Sequence, residues 1–375
     1  MRIDLSQAQR DTHERFAALF DAELVAEIRR MGESPRRGAV TPEEELADAE
    51  AGRLAVWQAL VDLGATRLLV PEKFGGTAEG QSGAVVLCEL LGAALYQGPL
   101  LDTFIAQEIL LRTPDTEHER IAETVAGAGV AVAPRASTTD VLHRPGPPLD
   151  AEGRLDGVRR FVGAVPQSQY LLAVAGEPGG IRSALVALDD RVAVRRYDEV
   201  TRGQLYEVTC TGAPVLSWHT DTAASWAEVV AGARVRHAAY LIGAAQGALD
   251  LAVARAGARQ QFGKPIGRFQ AIAFRLAELA TRLSAARWFT YAAAAAHDRR
   301  LRAAQALALA SDVLGSIVAA AMQIHGAYGL TEDADIQLYY RRAMLDRVWL
   351  GTPVDLRREV YPLLAATQDD RSDTL

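Results

Sequence analysis

The chain has 375 residues, 49% of them hydrophobic and 23% charged, which allows two or three compact domains and a sizeable core. With 40 basic against 47 acidic side chains the formal charge is −7 and no basic block occurs, which excludes the Lys/Arg-dense face that nucleic acid requires. Lys occurs only at Lys73 and Lys264, and the two cysteines, Cys88 and Cys210, lie far apart outside any CxxC or His-containing pattern, so neither a disulfide framework nor a metal site is expected and the compartment reads as reducing and cytoplasmic.

The opening stretch, MRIDLSQAQRDTHERF, is charged throughout and lacks an apolar core, so no signal peptide is expected. Residues 1–120 read as a helical domain. Val56, Leu60 and Leu63 share one helical face, and Gly64 stops that helix before Leu68-Leu-Val-Pro71. Phe74 to Gly83 is turn-rich, and a second apolar helix runs from Val85 to about Tyr96, broken by Gly98-Pro99.

Residues 121–218 change texture. Short runs such as Tyr170-Leu-Leu-Ala-Val-Ala175, Ser183-Ala-Leu-Val-Ala-Leu188 and Val192-Ala-Val-Arg-Arg196, separated by Gly, Pro and Asp, predict an all-β module. Residues 219–375 are helical again. Ala238, Leu241, Ile242, Ala245, Leu249, Ala252, Val253 and Ala256 recur at the spacing of one buried stripe. In the next helix Ile272, Leu276, Leu279 and Leu283 line one face while Glu278 and Arg282 form an i,i+4 pair. Ala303 to Met322 contains Gln305 and Asp312 and reads as a helix buried on all sides rather than a membrane span, and a fourth helix covers about Asp335 to Val348. The fold class is α+β, mostly α.

Three stretches are distinctive: Val70-Pro-Glu-Lys-Phe-Gly-Gly76, Arg259-Gln-Gln-Phe-Gly-Lys-Pro-Ile266 and Gln323-Ile-His-Gly-Ala-Tyr-Gly329. In order and spacing they resemble the acyl-CoA dehydrogenase family, and the resemblance covers nearly the whole chain. It implies an N-terminal helical domain, a middle β-barrel-like domain and a C-terminal four-helix bundle, with FAD bound at a subunit interface. By that resemblance Arg259 and Phe262 match residues applied to the pyrophosphate and adenine half of a neighbour's FAD, a role that suits the planar fork of Arg. Gln323, Gly326 and Gly329 match a turn that lets backbone approach the same cofactor, with Ala327 in place of its second Gly, and Thr352 follows Gly351 in the family's Gly-Thr pair. A plainer reading makes Gly263, Gly326 and Gly329 helix ends, and Thr352-Pro353 with Asp355 the cap of the last helix.

The family's reaction needs a carboxylate to take the α-proton of a thioester while a hydride leaves Cβ for the flavin. The resemblance places this Glu just before the Gly-Thr pair, where this chain has Leu350. A minority placement precedes an Arg matched by Arg234, and there the chain has Ala233. Neither Leu nor Ala takes a proton. Asp346, one turn before Leu350, is a candidate displaced base, although a solvated helix-face Asp is the favoured reading. His237, His297 and His325 are isolated in sequence.

The middle domain departs further. Val132-Ala-Pro-Arg-Ala-Ser-Thr-Thr-Asp140 replaces the family's Thr-Glu-Pro-x-Ala-Gly-Ser-Asp loop, and Phe161-Val-Gly-Ala164 replaces Trp-Ile-Thr-Asn, so Gly163 stands where a hydroxyl meets the flavin. Leu155-Asp-Gly-Val-Arg-Arg-Phe-Val162 and Leu338-Tyr-Tyr-Arg-Arg-Ala343 look like the base-lacking partner subunits of heteromeric acyl-CoA dehydrogenases. The resemblance therefore implies an oligomer with a Glu-bearing paralogue and an acyl-CoA or other acyl thioester substrate. A homomeric enzyme turned to flavin oxygenation or non-redox elimination, and a cofactor-free scaffold, are the alternatives.

Overall fold

Ser6 opens the first helix, α1 (Gln7–Ala17), by accepting from the Gln9 N–H, while the Gln9 side chain accepts from the Ser6 N–H in return. The computed structural model describes residues 5–30, 42–77, 79–112, 127–133, 153–198, 200–201, 203–297 and 299–372. Four more α-helices follow among the described residues of the N-terminal part: α2 (Ala22–Arg30), α3 (Pro42–Asp62), α4 (Gly80–Ala93) and α5 (Leu100–Leu110). Val56 and Leu60 are buried and Gly64 turns the chain with φ +80, as their pattern predicts. The turn-rich stretch is shorter than expected, because α4 already begins at Gly80. Glu79 at its start is held by Arg15 at 2.5 Å and by Thr12, so a tertiary contact overrides the weak helix propensity of Gly80 and Gly83.

The middle of the chain forms a curled six-stranded sheet from β1 (Val130–Ala133), β2 (Arg154–Gly163), β3 (Tyr170–Glu177), β4 (Gly180–Ala187), β5 (Val192–Arg196) and β6 (Leu205–Thr222). The order is β1-β3-β4-β6-β2, with β5 also on β6. Among the described residues only β1 and β3 pair in parallel, Val130 opposite Tyr170. The long β6 makes the curl: its second half, from Val215, pairs with β4, and its first half pairs with β2 and β5. A separate small-residue core of Ala131, Ala173, Ala184, Val186 and Val208 fills the sheet.

Thr222 ends β6 and caps α6 (Ala223–Ala258) by accepting from the Ser225 N–H. A short hairpin, β7 (Gln260–Gln261) with β8 (Lys264–Pro265), leads to α7 (Gln270–Ala294), α8 (Arg299–His325), α9 (Ile336–Asp346) and α10 (Pro353–Ser372). Glu278 pairs with Arg282 as expected and also with Arg275. The single stripe expected on α6 is corrected: from Val229 to Ala245 every residue is buried, because α4 and α5 cover one side and α8 the other. Val253, assigned to that stripe, is 51% exposed where the helix leaves the core. In the Ala303–Met322 run only Ala319 is exposed. This helix is long and apolar enough to cross a membrane by composition, yet it packs against α6, α7, α9 and α10 as a core helix does.

Candidate functional site

A cavity of ≈ 100 Å³ lies where the N-terminal helices, the sheet and the C-terminal bundle meet. Tyr96 and Leu101 line it from the first, Gly163, Ala164 and Leu205 from the second, and His237, Tyr240, Arg342, Asp346 and Trp349 from the third. The end of β2 is bent into place by left-handed backbone at Phe161 (φ +55) and Ala164 (φ +48), and the Ala164 N–H donates to the Gln204 carbonyl at 3.1 Å. Gly163 thus sits on the wall, and a Cβ there would meet only Asp102 Oδ2 at 4.0 Å. Residues 134–140 of the replaced loop lie outside the described residues.

Asp346 is not the solvated helix-face residue expected from sequence. It is 6% exposed, because the face of α9 that carries it turns inward against α6. Burial pushes its carboxyl above the usual range, while Arg342, donating to Oδ1 at 2.9 Å, holds it back. His237, isolated in sequence, lies against the same residue: its Nε2 is 2.7 Å from the Asp346 carbonyl oxygen. Burial also pulls the His237 imidazole below its ordinary value, so the ring is neutral near pH 7. Tyr240 stacks on it with ring centroids 6.0 Å apart. The Arg342–Asp346 spacing was visible as an i,i+4 pair, but nothing local in the sequence signals His237 and Tyr240 as its neighbours.

The two positions where the resemblance places a base come together in space. Ala233 and Leu350 are both buried, and Arg234, next to Ala233, donates from Nε to the Leu350 carbonyl at 3.1 Å. Both are apolar, so this corner of the core offers no proton acceptor from either side chain.

Arg259, Phe262, Gln323 and Gly326 are exposed at the far end of the bundle. Phe262 is 90% exposed with φ +50 and packs edge-on against Phe269. Gly326 takes φ +65 directly after α8, and Gly329 lets the next turn fold back, since a Cβ there would be 2.8 Å from His325 Cβ. Arg255 lies over the Tyr328 ring at 4.8 Å, which joins the Arg259 and Gly326 segments into one surface. At about 1.5 Å per helical residue, α6 carries Arg259 roughly 33 Å from His237, so these residues do not reach the chain's own cavity. Thr352 lies at neither place. Its hydroxyl accepts from the Asp355 N–H at 3.2 Å and donates to Asp355 Oδ2 at 2.6 Å, capping α10. The Val70-to-Gly76 segment is structural: a Cβ at Gly76 would fall 1.6 Å from the Val70 carbonyl oxygen, so only Gly closes that turn.

The family model for the acyl-CoA dehydrogenase C-terminal domain matches residues 224–358. Acyl-CoA dehydrogenase IpdE2 of Mycolicibacterium smegmatis is 31% identical over 341 residues, covering 90% of this chain and 95% of the relative. The chain belongs to the acyl-CoA dehydrogenase family. This is a family of oxidoreductase flavoproteins. The fold also matches the ChsE4-ChsE5 complex from Mycobacterium tuberculosis (TM-score 0.80, 23% identity, 97% of this chain and 99% of that one). PigA, solved with FAD and proline, matches with TM-score 0.79 at 19% identity over 97% of this chain and 99% of that one.

Two parts of this chain differ in how well their residues would fit FAD. The outer surface fits a phosphate-bearing group: Arg259 pairs with no carboxylate among the described residues, and Cβ atoms built at Gly263 and Gly326 meet nothing within 4 Å. The inner cavity fits a flavin ring less well, because Gly163 on its wall brings no hydroxyl donor.

Proposed function

We propose that this chain is a subunit of an FAD-dependent acyl-CoA dehydrogenase that lacks its own catalytic carboxylate and completes the FAD site of a Glu-bearing partner. The observation that carries this reading is the pairing of Leu350 and Ala233 at the base positions with an Arg259 surface turned outward, roughly 33 Å along α6 from the chain's own cavity. In the reaction, the partner's Glu takes the α-proton of an acyl thioester, and Cα–Cβ becomes a double bond. FAD, when bound, accepts the Cβ hydride. On this side of the interface Arg259 would hold the pyrophosphate and Phe262 the adenine half, and Gln323, Gly326 and Gly329 would form the turn against the cofactor, while Thr352 caps α10. Similarity to a solved two-protein complex supports a heteromeric setting. Two buried, unpaired cysteines support a reducing, cytoplasmic one.

Co-expression with a Glu-bearing paralogue tests this. A stable complex with flavin absorbance and acyl-CoA-dependent dye reduction, both missing from this chain alone, is the expected result. A homo-oligomer that binds a full complement of FAD and turns over without a partner overturns it.

A further inference from the structure

The turn that carries Gly326 and Gly329 leans on the helix that follows it. A Cβ built on Gly329 would lie 3.4 Å from Ile336 Cγ2, and Ile336, the first residue of α9, is fully buried. The hydrogen bonds that the turn's side chains make are local. The Tyr328 hydroxyl donates to the Asp333 carbonyl at 2.9 Å, and the Thr331 hydroxyl donates to the Tyr328 carbonyl at 2.8 Å. Local bonds of this kind shape a turn without aiming it, so its direction follows the start of α9.

That start is tied down from the other end of the sequence. Arg29, on α2, donates from Nη1 to Asp335 Oδ2 at 2.8 Å and from Nη2 to the Tyr339 hydroxyl at 2.8 Å. Tyr339 is 1% exposed, its ring lies 5.3 Å from the guanidinium carbon, and its hydroxyl donates to the Ala93 carbonyl at the end of α4 at 2.5 Å. One side chain thus joins α2, α4 and α9. Asp335 occupies the N-cap position of α9, where an Asp ordinarily accepts from first-turn N–H groups, yet it makes no such bond. Its carboxylate is turned to Arg29 instead, and among the described residues no other cation pairs with it. A pair that spans 306 residues sets α9 against the N-terminal helices rather than stabilising α9 within itself.

We propose that Arg29 is a positioning residue for the cofactor surface: by holding Asp335 and Tyr339 it fixes the start of α9, and through Ile336 it aims the Gly326–Gly329 turn. The part this turn plays toward FAD rests on the dehydrogenase reading, whereas the clasp itself does not. Arg suits the clasp because its planar fork offers separate nitrogens to the carboxylate and the phenol while stacking on the ring, and the ammonium of Lys has no such fork.

The test uses the full-length chain, alone and with its Glu-bearing partner. In Arg29→Met, hydrogen exchange at the Thr331, Ala334, Gln337 and Leu338 amides, which close the turn and the start of α9, is expected to quicken at least about tenfold, while the middle of α6 keeps its protection. Arg29→Lys should restore part of that protection, and Asp335→Asn should show a smaller loss because the Tyr339 bond survives. FAD retained by the complex after gel filtration should fall about fivefold or more in Arg29→Met, the effect of about one ordinary hydrogen bond. Thermal melts establish that each variant folds; if Arg29→Met does not, Arg29→Lys and Asp335→Asn decide. Unchanged exchange at these amides, or a loss spread equally over α6, overturns the proposal. So does full FAD retention in Arg29→Met beside a wild-type complex that holds FAD. A wild-type complex without FAD counts instead against the dehydrogenase reading, and the exchange rates still decide the clasp.

Discussion

Arg234 ties the Leu350 carbonyl, which its Nε meets at 3.1 Å, to Glu359, which its two terminal nitrogens meet at 2.8 and 2.9 Å. The fork geometry fixes the turn between α9 and α10, so the Leu350 position, where the resemblance places a base, is tied to a neighbouring cation. Glu359→Ala would strand a guanidinium that is only 4% exposed. Because Glu359 itself is 39% exposed, the expected loss is about 2–3 kcal/mol, below the range for a fully buried pair. Adding Arg234→Met should restore part of that loss by removing the unpaired charge. Urea unfolding of the wild type, the single variant and the double variant checks both; a double variant less stable than Glu359→Ala alone would contradict this account.

Gly92 on α4 and Tyr240 on α6 touch through backbone. A Cβ at Gly92 would lie 1.9 Å from the Tyr240 carbonyl oxygen, and one at Gly243 the same distance from the Glu89 carbonyl oxygen, so the two helices cross on a pair of glycines. Gly92→Ala is expected to cost more than about 3 kcal/mol and to move Tyr240 out of the cavity wall, whereas Gly257→Ala, whose Cβ would meet nothing within 4 Å, should gain roughly 0.5–1 kcal/mol from helix propensity. Thermal melts of the two variants would show shifts of opposite sign.

Patterns that repeat along one element were legible, and those that depend on neighbours were not. The short runs separated by Gly, Pro and Asp gave the β module, and Gly326, one residue past α8, takes the left-handed backbone that the plainer helix-end reading expected. The stripe on α6 was read too narrowly because Ala and Gly between its larger residues are buried as well, which periodicity of apolar residues does not distinguish from a half-exposed helix. Asp346 looked like a surface charge because a carboxylate is usually solvated, and its burial depends on Arg342 four residues away and on His237, which lies 109 residues away.

Acid should destabilise the fold through its histidines. Burial holds the folded-state pKa of His237 below the unfolded value, and His325 is shifted the same way. The unfolded chain then binds protons that the folded chain refuses, so stability falls as pH drops through about 6.5, by up to about 1.4 kcal/mol per pH unit for each such group. Asp346 acts with the opposite sign: its raised carboxyl keeps a proton that the unfolded chain has released, so its effect favours the fold at lower pH, in the window just above the ordinary carboxylate value. His237→Phe is therefore expected to shrink the drop in melting temperature between pH 7.5 and 5.5. An unchanged drop would mean that His237 is protonated in the native state.

Arg259 separates structure from function most cleanly. Its side chain is exposed, and its backbone N–H donates to the Arg255 carbonyl at 2.9 Å, a bond that any residue except Pro preserves. Arg259→Met should therefore change stability by less than about 0.5 kcal/mol. If the guanidinium pairs with cofactor phosphates across a subunit boundary, the same substitution should lower FAD retained by the complex by about tenfold or more, since a charge-assisted bond is worth roughly 1.5–3 kcal/mol. Arg259→Lys should recover only part of it, because an ammonium cannot make the two-point contact. Absorbance at the flavin band after gel filtration, beside a melt of each variant, reads both quantities from one preparation. Full FAD retention in Arg259→Met would remove this residue from the cofactor site while leaving the fold assignment untouched.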